Sequence, residues 1–312
     1  MTSRRQLVLL GIALITLFLF PVTSPGSYYL HLLILIFMYG TMASSWNIIG
    51  GYAGYISFGH VVFFGVGAYT TAILQREFGL SPFVTAPLAG ILASMVAASI
   101  GYPSLKTRGA YFAIVTLALC FVGQLITTNL EFTGGGVGIS LDLVPWDVDV
   151  MKVPFYYGML LALCATIFIS YRIKNSKFGL GLIAIREDEE KAEAVGINTT
   201  QYKLLAFVAS AFFVGVVGGL YSYYMSYIDP PTVFSALLSI NVLIMAIFGG
   251  RGTIWGPVIG AIILMLLSEY LLYNISSQVH LIVYGLLLIT VVLFLPDGIM
   301  SLGKVLRKDA SR

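Results

Sequence analysis

Residues 27–50 read SYYLHLLILIFMYGTMASSWNIIG. The stretch contains no Asp, Glu, Lys or Arg. A helix needs roughly 20 mostly apolar residues to cross the hydrocarbon of a bilayer, so this stretch predicts a membrane span. The same pattern recurs along the chain. Working outward, spans are expected at 6–22, 28–49, 52–75, 82–102, 109–128, 153–171, 203–228, 236–250, 253–273 and 279–295. The 236–250 segment is short and the 52–75 segment is rich in glycine, so either is open to being broken or re-entrant. The expected fold is an all-α integral membrane protein of about ten (8–10) transmembrane helices with glycine-broken segments, in one domain over 1–312.

Composition leads the same way. Of 312 residues, 58% are hydrophobic and 10% charged, against about 25% charged in an average soluble domain. That much apolar surface exceeds what one core can hold, so lipid must solvate most of it. A net charge of +3 is too small to point to nucleic acid. Cys120 and Cys164 both fall inside apolar runs and read as small core residues, with no disulfide or metal implied. Ser3-Arg4-Arg5-Gln6 before an apolar run could open a signal segment. A signal should lead into a soluble domain, whereas here a second apolar segment begins at Tyr28. The expectation is a short first span with its arginines held inside.

Orientation follows from Lys and Arg, which favour the cytoplasmic side. With ten spans and the N-terminus inside, 15 of the 17 basic residues are cytoplasmic, leaving Arg76 and Lys152 outside. The 129–152 loop, with Glu131, Asp142, Asp147 and Asp149, suits the outer face. It also holds a glycine run, Gly134-Gly135-Gly136-Val137-Gly138. A phosphate cradle needs a strand before such a run and a helix after it, and neither is evident. Gly298 to Lys304 fits G-x-x-x-x-G-K, but Val305 stands where a Ser or Thr hydroxyl would meet Mg²⁺.

Residues 172–203 hold 11 of the 31 charged residues. Phe178, Leu182 and Ile185 recur at helical spacing, as expected of a helix lying along the membrane surface. Asp188 fits an N-cap, with Glu189 and Glu190 in a first turn that favours negative charge. Gly196 suits the left-handed residue after a short helix, and Asn198 or Thr199 can cap the next span. A short helix with a small apolar face and a charged face is shaped to dock in a partner's groove. A solvated loop that only fixes topology would share this composition.

These residues also carry a resemblance. Ala184-Ile185-Arg186-Glu187-Asp188-Glu189, Ala192 to Asn198 and Tyr202 to Phe207 resemble the coupling-loop signature of LivM-type permeases, subunits of branched-chain amino-acid importers of the ABC class. Gly50 to His60, with Phe63 to Tyr69, resembles a second block of that family. Arg108 to Leu117, Gly249 to Thr253 with Trp255-Gly256-Pro257, and Leu295 to Ile299 resemble others, in the same order. The wider ABC class has E-A-A with glycine several residues later. Here Gly196 follows Glu193 by three, as in the LivM-like form. The resemblance implies that Arg186, Glu187, Asp188, Glu193, Ala194, Gly196 and Ile197 couple the chain to an ATPase. It implies four partners: a second permease subunit, two ATP-binding subunits and a periplasmic substrate-binding protein. ATP and Mg²⁺ would sit on the partner subunits, with no cofactor or metal on this chain, in the bacterial inner membrane with both termini cytoplasmic.

Two glycine-interrupted segments, Gly50–Gly67 and Gly249–Gly260, point to a transport path, because backbone leaves the helix at membrane depth only beside protein or a water-filled cavity. Candidate lining residues are Asn47, Gly54, Ser57, Gly59, His60, Gly250 and Gly252. Close helix packing is the other use of such glycines, and a lone His60 equally suits hydrogen-bonded structure. No expected span holds a carboxylate near its centre. An ion-coupled carrier often does, so drive from a partner is favoured over a stand-alone secondary transporter. No paired carboxylates or His cluster suggest a membrane enzyme. Permeases for urea, short amides or other amino acids remain open alternatives on this pattern.

Overall fold

The computed structural model describes residues 4–23, 26–141 and 148–274, with short pieces at 282–283, 285–286, 289 and 298–300. Most of the expected 279–295 span and the end of the G-x-x-x-x-G-K match lie outside the described residues. In chain order the elements are α1 (Arg4–Leu19), α2 (Ser27–Asn47), α3 (His60–Phe78), α4 (Pro82–Ser104), α5 (Ala110–Asn129), β1 (Ile139–Ser140), α6 (Val148–Lys174), α7 (Lys177–Glu187), α8 (Glu189–Ala194), α9 (Thr199–Met225), β2 (Tyr227–Ile228), α10 (Pro230–Val233), α11 (Ala236–Gly250) and α12 (Gly256–Asn274). Six helical stretches among the described residues are long and apolar enough to cross a membrane: Ser27–Tyr52, Pro82–Ser104, Ala110–Asn129, Lys152–Lys174, Thr199–Met225 and Pro230–Gly250. Two shorter apolar helices, Leu14–Thr23 and Gly256–Tyr270, accompany them.

The boundaries have local causes. α3 ends at Gly79, whose φ of +64° gives the left-handed turn that releases a helix C-terminus. α4 then starts with Pro82 in its first turn, where the missing N–H costs nothing. α2 does not run straight on. It widens into a π turn over Ile48–Tyr52, and residues 53–59 leave the helix altogether. The span predicted over 52–75 therefore becomes a buried irregular segment followed by α3 from His60.

α9 lies at the centre, packed on α3 and α4 along one side and on α2 and α6 along another. The α3–α9–α4 seam is built from small residues. A methyl added at Gly67 would fall 2.1 Å from the Gly215 carbonyl oxygen, and one at Gly218 would fall 2.2 Å from that of Phe64. One at Gly215 would fall 2.5 Å from the Ala93 Cβ. Backbones approach this closely in membrane helices only where side chains are absent. Gly67 thus serves packing.

Contacts sort the connections to two ends. At one end, here the charged end, lie residues 53–59, the α4–α5 turn, α7 with α8, and the α11–α12 turn. At the other, the strand end, β1 and β2 pair antiparallel, Ile139 opposite Ile228 and Ser140 opposite Tyr227. Arg76 donates there to the Phe132 carbonyl at 2.8 Å. The glycine run at 134–138 connects a helix to a strand through two 3₁₀ turns, the reverse of a phosphate cradle's order.

Candidate functional site

At the charged end the chain turns twice within a few residues. The Ser176 hydroxyl caps α7 by accepting from the Gly179 N–H at 3.2 Å. Asp188 breaks α7 in extended backbone and caps α8, its Oδ1 accepting from the Lys191 N–H at 3.1 Å. The Lys191 ammonium, 2.9 Å from the same carboxylate, holds the Asp188 pKa low and is itself raised in return. Gly196 takes the left-handed turn at φ +89°, which lets the Ile197 N–H reach the Ala192 carbonyl at 3.0 Å. Asn198 then caps α9 through the Gln201 N–H. Glu187, Glu190, Lys191, Glu193, Ala194, Val195 and Gly196 face outward, Val195 77% exposed, while Ala192 is buried beneath them. The face of α7 expected along the membrane surface packs inward instead. Leu182 and Ile185 are buried, and Phe178 stacks on Tyr202 of α9 at 5.1 Å.

The inner side of α8 is held by a buried ion pair that sequence reading left out. Lys203, 3% exposed, donates to Glu189 Oε1 at 2.5 Å, to the Tyr55 hydroxyl at 2.9 Å and to the Leu105 carbonyl at 3.2 Å. The Tyr55 hydroxyl donates to Glu189 Oε2 at 2.5 Å, and Arg108 lies 3.6 Å from that oxygen. Burial pushes the Glu189 carboxyl up, but Lys203 and Tyr55 together outweigh it and leave the pKa below the usual range. The signal for this group was Lys203 itself, a lone charge entering a 27-residue apolar helix. Glu193 also has an inward role, accepting from the Thr199 hydroxyl at 2.6 Å.

Arg186 reaches the other way, into the two chain breaks. Its Nη1 donates to the Gly51 carbonyl at 3.1 Å. Gly54, at φ +80°, and Gly252, at φ +72°, wall its side chain: a methyl on Gly54 would fall 2.7 Å from Arg186 Cγ, and one on Gly252 would fall 3.0 Å from Nη1. Asn47, the last residue of α2, bridges the breaks directly. Its Nδ2 donates to the Thr253 carbonyl at 2.7 Å, and its Oδ1 accepts from the Gly252 N–H at 2.7 Å. Lys174, from the end of α6, donates to the Gly252 carbonyl at 2.6 Å. Gly250, at φ +129°, starts the turn, and its carbonyl accepts from the Thr253 hydroxyl at 2.6 Å.

The predicted path residues thus divide. Asn47, Gly54, Gly250 and Gly252 gather around Arg186. Ser57, Gly59 and His60 sit at the start of α3, against α5 and α9. His60 is fully buried, Nδ1 3.3 Å from Ser57 Oγ and Nε2 3.2 Å from Ser210 Oγ, with Phe63 and Phe207 edge-on. The irregular 53–59 backbone is satisfied by neighbouring side chains. Trp46 Nε1 donates to the Ser57 carbonyl at 2.8 Å, the Phe58 N–H donates to Thr116 Oγ1 at 3.1 Å, and Cys120 and Ser239 both donate to the Phe58 carbonyl. Among the described residues no group of three or more His, Cys, Asp and Glu side chains is placed to hold a metal.

Comparison with known proteins gives this arrangement a family. Residues 28–292 match the family described as "Branched-chain amino acid transport system / permease component". The chain belongs to this permease family. Among similar members, the branched-chain amino acid transport permease LivM of Salmonella typhimurium is 28% identical over 283 residues, and that of Escherichia coli 29%. In each case the match covers 82% of this chain and 66% of the relative, so the chain spans about two thirds of the length of these LivM proteins. The LivH permease of Escherichia coli K12 is 26% identical over 286 residues, 84% of this chain and 91% of the relative. No solved structure matches. With its apolar helices, this member of the permease family is a multi-pass membrane protein.

Proposed function

We propose that the chain is the membrane permease subunit of an ATP-driven importer that moves branched-chain amino acids delivered by a periplasmic binding protein. The observation that carries this reading is α8. Its inner side is bonded to buried Lys203, while Glu190, Lys191, Ala194 and Val195 stand outward on a rigid, capped turn. A short helix held this way fits a groove on an ATP-binding subunit, and relatives named for branched-chain amino acid transport supply the substrate class. The partners are a second permease chain, two ATP-binding subunits that carry ATP and Mg²⁺, and the binding protein. The chain itself performs no covalent chemistry.

In this reading about ten (8–10) spans lie in the bacterial inner membrane, both termini and the 172–203 loop being cytoplasmic. The charged end is then the cytoplasmic end, and the strand end receives substrate. The broken segments at 53–59, which includes Ser57, and 250–253 border the path, with His60 at the start of α3 beside the first. Closure of the ATP-binding subunits moves α8 and switches the path between faces through packing that has two stable arrangements.

The test is uptake by proteoliposomes containing the assembled complex and its binding protein. Leucine uptake should require internal ATP and persist with an ionophore. Val195→Asp should abolish capture of the ATP-binding subunits while membrane insertion stays normal. Ionophore-sensitive uptake without ATP would make the chain a secondary transporter and overturn the reading.

A further inference from the structure

The charged end contains a second set of contacts that docking does not use. α8 could be held in place by Glu189 and Lys203 alone. Yet Arg186, three residues before that helix begins, turns Nη1 inward to the Gly51 carbonyl at 3.1 Å while its Nη2 pairs with the outward-facing Glu187 at 2.9 Å. A Cβ on Gly54 would fall 2.7 Å from Arg186 Cγ and one on Gly252 would press on Nη1 at 3.0 Å, and both glycines adopt left-handed backbone. On the far side of Gly51 stands the Asn47 amide, whose oxygen would lie 1.9 Å from a Gly51 methyl. That amide uses both ends on the second break, accepting from Gly252 and donating to the carbonyl of Thr253. Lys174 holds the Gly252 carbonyl from the last turn of α6. The chain of contacts is continuous from the docking segment to Gly51, to Asn47 and to residues 252–253, across more than two hundred residues of sequence.

We infer that Asn47 and Arg186 are positioning residues that tie the two broken segments to the docking segment as one unit, so that displacement of α8 moves both breaks together. The inference rests on the docking reading above and adds the route by which docking reaches the chain breaks at the ends of α2 and α11. The chemistry suits such a role. An amide with its donor and acceptor both engaged fixes the separation of two backbones, whereas a single hydroxyl would leave one free to swing. A guanidinium presents planar donors in a fixed geometry on a charged group that stays protonated. Glycine walls mean that movement of Arg186 is passed to backbone with no soft side chain between.

The experiment uses the whole complex in proteoliposomes and reads amino acid transported per ATP hydrolysed. Asn47→Ala leaves the Gly252 N–H without its acceptor, and Asn47→Asp keeps that acceptor but sets a carboxylate against the Thr253 carbonyl. Arg186→Lys keeps the charge and loses the planar fork. Each should lower the transport-to-hydrolysis ratio at least about fivefold, the lower range for coupling between sites, while the ATP-binding subunits remain bound. The Asn47→Ala/Arg186→Lys pair should lose no more than the worse single variant, as expected of groups acting as a unit. A purely structural role would reduce the amount of assembled complex and leave the ratio of what remains unchanged. An unchanged ratio in the variants that assemble would overturn the inference. If none of the three assembles, the residues are scaffold and the inference falls likewise. Retained capture of ATP-binding subunits by Val195→Asp would instead sink the docking reading, and the two failures are separable.

Discussion

Gly51 has no room for one more carbon. A methyl there would lie 1.9 Å from Asn47 Oδ1 and 2.6 Å from the Gly252 nitrogen, the second of these being backbone that cannot swing aside. Gly51→Ala should therefore cost about 1–3 kcal/mol, the usual range for overpacking, read as a lower yield of folded protein after detergent extraction. Gly26→Ala is the control, since its new methyl meets nothing nearer than Tyr29 at 3.9 Å. At the same scale, Lys203→Met would strand Glu189, 11% exposed, without its buried cation. Breaking a buried pair at one end costs about 3–5 kcal/mol. Adding Glu189→Gln should recover part of the loss, because a neutral amide needs no counter-charge. The sign with pH follows from the lowered Glu189 pKa. Its contribution is present above the unfolded value of 4.5 and disappears as pH falls through the folded value. Thermal inactivation of wild type should steepen below about pH 4.5, and the Glu189→Gln/Lys203→Met pair should be flatter there.

α8 shows how far an element can be read from sequence. Asp188, Gly196 and Asn198 signalled their caps in advance, because capping is local chemistry and needs only neighbours along the chain. Which side of α7 faces inward was not local. Phe178, Leu182 and Ile185 have the spacing of a surface helix, and only contact with α9 decides that they pack against protein instead of lipid headgroups. The break after α2 was half legible. Its glycines marked 50–67 as irregular, but glycine serves both breaks and close packing, and the structure uses Gly54 for one and Gly67 for the other. The bond from Arg186 to Gly51 joins residues far apart in sequence and left no periodic trace. At this scale Gly196→Val is the informative change. Nothing lies within 4 Å of its added Cβ, so the penalty is backbone alone, roughly 1–2 kcal/mol for a left-handed residue with a side chain. Transport by the assembled complex should fall with membrane insertion intact, and Gly196→Asn, which tolerates that conformation, should be milder.

For the whole molecule the sequence placed the ends of several spans, while six stretches among the described residues have full span length, with two shorter apolar helices, where about ten (8–10) spans were expected. Helices at 82–104, 110–129 and 236–250 fall within two residues of expectation, since span length is set by the bilayer. The strand pair at Ile139 and Ile228 carried no signal, being two residues long on each side. The two ends of the protein make orientation testable. Single cysteines at Ser140, on the strand end, and Glu190, on the charged end, would be introduced into a background lacking Cys120 and Cys164. An impermeant thiol reagent added to intact cells should label position 140 and spare position 190. The opposite pattern would invert the orientation proposed here.

The seam of Gly67, Gly90, Gly215 and Gly218 sets a limit on how the molecule can deform. Helices that touch through backbone have no side-chain cushion to shear, and a slide of one register would drive carbonyls into one another. α3, α4 and α9 therefore travel as a single solid body. Any alternation between open and closed forms has to be hinged at its margins, where α5 and α11 touch it only lightly. Distances measured by paired spin labels across α4 and α9 would be the fixed ruler against which such a hinge could be seen to turn.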